Sequence, residues 1–413
     1  MKHTYPLNLF LIFCGLICIS DRAAAQMQAT ADFVGGSAVI ISTDAEQQSV
    51  HLQPEVRQDR GWPCWWYCRL DGLRVGTPVK LSVSANPAPY RERQVLSQSW
   101  LLPDRASISD DNVSWRHSPE PDRKDNVATY TFEATAKTMW VGWGPPFLPS
   151  HAEKLLKEVA ETLPGAKVFE LARTRGNRPV NAIRFGAQES DDARPSAIWI
   201  QARQHAWEAG SSWVAQGFLR WAASDDPIAA DLRSKATIYV VPIMDVDNVA
   251  IGAGGKASVP RDHNRDWDDK PIYPEVLAAQ SKIKQLLNSH RFDAFIDLHN
   301  PGPNDRKPFY FAPKMDGLPK LQQRNYMRWR AISESLIEGI EPEFRFTGYI
   351  KTQEERDRVS SNWVRNHTTP HVVSMTLETS WNRSEGTQQG YQSVGQQLGL
   401  TIARYLNGDP SAD

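Results

Sequence analysis

The sequence is short of cysteine, of net charge and of long apolar runs. Four cysteines occur in 413 residues. Cys14 and Cys18 fall within the first 25 positions, which leaves Cys64 and Cys68 in Trp62-Pro-Cys-Trp-Trp-Tyr-Cys-Arg69. That aromatic stretch reads as a strand, and four strand steps part the α-carbons by about 13 Å, beyond the roughly 7 Å a disulfide can bridge. Unless a bulge or turn intervenes, the two are buried thiols facing one side. With no further Cys and no nearby His to complete a set, they are also poor metal ligands. A formal net charge of −1 gives no reason to expect nucleic acid or an anionic membrane as the main partner. No segment beyond the N-terminus approaches the roughly 20 apolar residues of a spanning helix. Internal repeats and low-complexity tracts are missing too.

What is present is ordinary in bulk, with 40% hydrophobic and 23% charged residues, as in a soluble globular protein. The length exceeds what one core usually needs, so two domains are expected. Fifteen tryptophans suggest aromatic-rich sheets or a groove for something flat or extended, with most of them expected to be large core residues. At the N-terminus, Lys2 and His3 precede an apolar run from Leu7 to Ile19, followed by Ala23-Ala24-Ala25-Gln26. A basic start, a short hydrophobic segment and a small-residue cleavage site predict a secretory signal peptide over residues 1–25. The expected product is exported, to a periplasm or to the medium, with no membrane attachment after cleavage.

Residues 28–147 read as all-β. Ser37 to Ile41, Trp65 to Leu70, Val79 to Val83, Thr129 to Glu133 and Thr138 to Gly142 are rich in β-formers and are parted by Gly, Pro, Asn and Asp turns. A small β-sandwich is the economical reading. Gly144-Pro145-Pro146-Phe147-Leu148-Pro149 then punctuates the chain, and residues 150–407 alternate strands with helices. Apolar strands are expected at Ala197 to Ala202, Thr237 to Met244, Phe292 to Leu298 and Val372 to Leu377. Amphipathic helices are expected around Val214, Phe218 and Trp221, around Val276 to Leu287, from Arg324 to Ile340 and from Tyr391 to Leu406. This predicts an α/β domain with a mixed, mostly parallel sheet covered by helices on both faces. Ligands in such folds gather at the carboxyl ends of the strands.

Three candidate metal ligands stand at such ends. His205 and Glu208 follow the strand Ala197 to Ala202, and His299 closes Phe292 to Leu298. Two imidazoles and one carboxylate make a catalytic zinc set that leaves a fourth position open. Glu378 ends the run Val372 to Leu377, where a carboxylate beside activated water acts as general base and then as acid. In Arg261-Asp-His-Asn-Arg-Asp-Trp267, Arg265 offers a planar fork for a carboxylate and Asn264 an amide donor.

These pieces resemble the M14 metallocarboxypeptidases, in particular their cytosolic-carboxypeptidase-like branch. Arg203-Gln-His-Ala-Trp-Glu-Ala-Gly-Ser-Ser-Trp213 is similar to that branch's Arg-Gln-His-Pro-Gly-Glu segment. Asp262-His-Asn-Arg-Asp-Trp267 resembles its Asn-Arg clamp, Asp297-Leu-His-Asn300 its third-ligand segment, and Thr376-Leu-Glu-Thr379 its catalytic glutamate. The resemblance covers about 250 residues in the family's order. It also accounts for a β-sandwich before the catalytic domain.

The resemblance implies one Zn2+ held by His205, Glu208 and His299, proton transfer by Glu378, and capture of a peptide's terminal carboxylate by Asn264 and Arg265. It implies a tyrosine near the substrate, for which Tyr349 is the candidate. Two departures stand out. Ala206-Trp207 replaces Pro-Gly between the first two ligands, and the bulky Trp207 is expected to narrow the cleft. Lys256 stands where the family has its oxyanion arginine, so either Lys256 or Arg261 does that work. His117, His151, His263, His290, His367 and His371 show no ligand-like pairing. Two other readings stay open: a zinc acylase or amidase acting on small acylated amino acids, and a non-catalytic protein that binds peptide or glycan.

Overall fold

A computed structural model describes Met1 and residues 26–188, 194–381, 383 and 386–408. Apart from Met1, the signal peptide expected over residues 1–25 lies outside the described residues. Ten strands occupy residues 28–142: β1 (Gln28–Thr30), β2 (Val39–Asp44), β3 (Ser49–Gln53), β4 (Tyr67–Asp71), β5 (Pro78–Ser84), β6 (Ser107–Ser109), β7 (Arg116–His117), β8 (Asp122–Lys124), β9 (Val127–Glu133) and β10 (Thr138–Gly142). They form two sheets, ordered β1-β4-β10-β6-β7 and β2-β3-β5-β9-β8. Alternation decides which side is inward: Val79, Leu81 and Val83 of β5 and Ala128, Tyr130 and Phe132 of β9 are buried between exposed or half-buried neighbours. β4 starts later than the aromatic run suggests. Cys64 lies in the turn before it and Cys68 inside it, and both thiols are free and buried.

The rest of the chain runs α1 (Pro149–Thr162), β11 (Lys167–Arg173), β12 (Pro179–Gly186), β13 (Ser196–Ala202), α2 (Ala209–Ala222), α3 (Pro227–Lys235), β14 (Ala236–Val241), α4 (Val246–Ile251), α5 (Pro274–Ser289), β15 (Arg291–His299), β16 (Phe309–Phe311), α6 (Lys320–Leu336), α7 (Gln353–Asp357), α8 (Ser360–His367), β17 (Val373–Glu378) and α9 (Gln388–Asn407). Its sheet has seven strands in the order β11-β12-β14-β13-β15-β17-β16. The central four, β14, β13, β15 and β17, are parallel. β11, β12 and β16 pair antiparallel at the flanks. Every residue of β13, β14 and β17 is buried, the pattern of strands covered on both sides. α2 packs on β13 and β15, α5 and α8 on β15, and α6 on β17.

The expected helix from Arg324 to Ile340 sits one turn earlier in the chain, at α6. α2 and α9 approach closely because glycines face the contact. A Cβ on Gly217 would come 2.1 Å from the Gln392 carbonyl oxygen, and one on Gly395 would come 2.1 Å from that of Val214. This contact fixes α2, whose N-terminal boundary residue is Glu208.

Candidate metal centre

β13 and β15 run side by side, and the chain leaves both at the same edge of the sheet. From β13 it turns through His205 into α2, with Glu208 as the residue before the first helical position. The turn is held from below by Arg203, whose guanidinium is buried. It donates from Nε to the Ala206 carbonyl at 2.7 Å and from Nη1 to the Phe147 carbonyl at 2.9 Å. β15 delivers His299 as its last residue, and in register beside it on β17 lies Glu378. Asn300 ties the three ends together. Its Oδ1 accepts from the Ser211 N–H at 2.7 Å and its Nδ2 donates to the Thr379 carbonyl at 2.6 Å.

The result is a tight donor cluster. One ligand atom each from His205, Glu208 and His299 lies within 4.8 Å of the others, and all three residues are buried. His205 Nδ1 is 2.8 Å from Glu208 Oε1, and His299 Nδ1 is 2.7 Å from Glu208 Oε2. Behind the imidazoles stand carboxylates: His299 Nε2 is 3.0 Å from Asp297 Oδ2, and His205 Nε2 is 3.5 Å from Asp262 Oδ1. The Asp297 carboxylate hydrogen-bonded to Nε2 fixes the His299 tautomer and leaves its Nδ1 free for a metal, while Asp262 faces His205 Nε2 at ion-pair distance. Asp297 is itself anchored by Gln204, by the Ser360 hydroxyl at 2.5 Å and by Gln201 at 3.4 Å. Two nitrogens and a carboxylate converging in a buried space fit a zinc-type cation.

Glu378 is buried, and its Oε2 has no hydrogen-bond partner. Burial is the main cause of a pKa pushed up to about 8; nearby Glu208 adds to it, while His299 and Lys256 pull the other way. Lys256 also lowers the pKa of Asp262, so its charge is felt on both sides of the cluster. Its ammonium stands 5.5 Å from the centre of the Trp62 ring. Arg261 is not brought to the cluster in the same way. Its Nε is 2.6 Å from Asp266 and its Nη1 2.5 Å from Asp268, and Nη2 donates to the Lys270 carbonyl at 3.0 Å. The guanidinium is spent on holding its own loop.

Asn264 sits at the rim of the cluster, its Nδ2 3.4 Å from His299 Nε2 and its Oδ1 accepting from the Ser360 N–H at 2.9 Å. Arg265 is half-buried next to it. Burial opposes its charge, but Asp262 and the Tyr349 hydroxyl prevail and raise its pKa. Tyr349 is 55% exposed, so its ring is available at the surface beside the arginine. Trp207 is committed elsewhere than the expected cleft. It is buried in a cluster with Trp143 (ring centres 5.3 Å apart), Trp381 (5.5 Å) and Trp100 (6.1 Å).

The family model for zinc carboxypeptidases of the M14 peptidases matches residues 152–303, which include all three members of the donor cluster. The chain thus carries a domain of the zinc carboxypeptidase family over residues 152–303. It is therefore a metallocarboxypeptidase, a hydrolase. A Zymomonas mobilis protein is 22% identical over 85% of this chain and 87% of its own length. Cytosolic carboxypeptidase 2 of Danio rerio is 25% identical over 57% of this chain, which spans 35% of that longer protein. A metallo-carboxypeptidase structure from Burkholderia cenocepacia, 22% identical, covers 92% of this carboxypeptidase and 99% of its own chain with a TM-score of 0.78, a likeness of fold. Among the described residues of the carboxypeptidase, no helix is long and apolar enough to cross a membrane.

The supporting residues carry no signal of their own in the sequence. Asp262, Asp297, Asn300 and Arg203 all lie inside the motifs that were read, but their roles depend on contacts between segments. His263 showed no ligand-like pairing, and it is none of the three cluster members. It is instead the centre of a buried ionic group. Its Nε2 is 2.6 Å from Glu275, its Nδ1 3.6 Å from Asp245, and its ring stacks on Tyr273 with centres 3.9 Å apart.

Proposed function

We propose that this carboxypeptidase removes the C-terminal residue of peptides, with one zinc ion held by His205 Nδ1, His299 Nδ1 and the Glu208 carboxylate. The observation that carries the reading is the convergence of both Nδ1 atoms on Glu208, with Glu378 in register next to His299. Zinc at this donor set supplies a Lewis acid that activates water and polarises a carbonyl. Glu378 takes a proton from the attacking water and returns it to the departing amine. Burial raises the Glu378 pKa above the usual carboxylate range, the direction a general acid–base near neutral pH requires. Lys256, rather than Arg261, faces the negative charge that develops on the carbonyl oxygen, because Arg261 is consumed by Asp266 and Asp268.

Asn264 and Arg265 bind the terminal carboxylate, and Tyr349 sits over that end of the substrate. Hydrogen bonds to a charged group of this kind contribute about 2 kcal/mol, so a blocked terminus should be a poor substrate. Two peptides of one sequence, one ending in a free acid and one in an amide, make the test. Release from the acid alone is expected, and equal rates on the two would remove the clamp from the reading. Residues 28–147 we read as a β-sandwich that precedes a catalytic domain over 150–407. The basic, apolar and small-residue order of positions 1–25 supports export to a periplasm or to the medium.

A further inference from the structure

The segment 59–62, between β3 and β4, lies flush against the segment that carries Lys256. Three backbone hydrogen bonds join them: Val259 N–H to the Asp59 carbonyl at 3.0 Å, Gly255 N–H to that of Arg60 at 2.9 Å, and Trp62 N–H to that of Lys256 at 2.9 Å. The fit leaves no room for side chains at its centre. A Cβ on Gly254 would come 1.9 Å from the Trp62 carbonyl oxygen, and one on Gly61 would come 2.5 Å from that of Lys256. Gly61 and Gly255 both hold positive φ, which glycine adopts at little cost. Lys256 is thus gripped at its backbone and, through its ammonium over the indole, at its tip.

The indole has its own support. Trp62 stacks at a tilt on Trp100, with ring centres 4.6 Å apart. Trp100 meets Trp207, between the two ligands of the His205 turn. The Trp100 ring also bears on Gly302, where a Cβ would come 3.0 Å from it, three residues beyond His299. A lysine tip on four rotatable bonds has rotamer entropy to lose, and a cation held over an indole face loses part of it in advance.

We propose that Trp62 is a positioning residue for Lys256, so that the N-terminal sheets complete the catalytic centre of the domain that follows them. The inference rests on the reading of Lys256 as the cation facing the carbonyl oxygen. Its consequence is that Trp62 acts on turnover only through Lys256.

A double-mutant cycle on the zinc-loaded full chain, with a free-acid peptide as substrate, separates the two ideas. Lys256→Met should lower kcat by about 10² with KM nearly unchanged, as for loss of one oxyanion donor. Trp62→Ala should lower kcat about tenfold, less than the roughly 10² that a 1 Å misplacement of a catalytic group can cost. Trp62→Phe, which keeps an aromatic face, should recover most of it. In the Lys256→Met background, Trp62→Ala should have no further effect. Lys256 should also react several-fold faster with an acylating reagent in Trp62→Ala than in the parent, read by mass spectrometry. If Lys256→Met leaves kcat intact, the underlying assignment of Lys256 fails. If Lys256→Met is slow but Trp62→Ala is not, or if Trp62→Ala costs the same factor in both backgrounds, the positioning role fails while the assignment stands.

Discussion

Replacing His263 with glutamine should remove a contribution to stability that depends on pH in a defined direction. The imidazole is buried between Asp245 and Glu275, with Asp266 also near. Burial works against its charge, but the acids outweigh it and raise its pKa from 6.5 to about 9. A pKa higher in the folded than in the unfolded chain stabilises the fold fully below the unfolded value, and the contribution is lost as pH rises through the folded one. At about 1.4 kcal/mol per pH unit, that gap corresponds to about 3 kcal/mol. The window is therefore pH 6.5 to about 9.

Urea unfolding of parent and His263→Gln at several pH values between 6 and 10 is the assay. Cys68, whose thiol is pushed up to about 12 by burial, erodes the stability of both proteins at the alkaline end. The difference between the two proteins removes that shared effect. The difference should approach 3 kcal/mol at pH 6 and shrink steadily above pH 7. A difference that stays constant across the range would refute the charged state assigned to His263.

Two further outcomes follow from the site and its packing. Glu378→Gln should keep zinc at one ion per chain, read by metal analysis, yet lose turnover by on the order of 10³, as for removal of a general acid–base; retained activity would take Glu378 out of the mechanism. Trp207→Ala should cost about 3–5 kcal/mol in thermal or urea unfolding, the usual range for a buried tryptophan. A loss below about 1 kcal/mol would mean that the junction of Trp100, Trp143, Trp207 and Trp381 carries little of the stability.

The metal cluster was legible because β13, β14, β15 and β17 are buried on both faces, so each reads as a largely apolar run and a polar residue at its end or just beyond stands out. His299 and Glu378 end such runs, and His205 follows one by three residues. The flanking antiparallel strands β11 and β12 were not foreseen. Lys167 to Arg173 mixes charged and apolar residues at a half-exposed edge and gives no clear period. A preference for Lys256 over Arg261 could not be read either, since it rests on Asp266 and Asp268 being close enough to occupy Arg261. Trp207 looked like an obstacle in a cleft because its neighbours in sequence are ligands. Its neighbours in space, Trp100 and Trp143, come from a segment more than sixty residues earlier.

Cleavage of peptide ends should depend on metal at His205, Glu208 and His299. The direct measurement is mass spectrometry of a free-acid peptide incubated with the purified chain, with a zinc chelator, and with zinc restored after chelation. Loss of single residues from the C-terminus alone is expected, abolished by the chelator and recovered with one equivalent of zinc. Cleavage at internal bonds, or release that persists under the chelator, would contradict it.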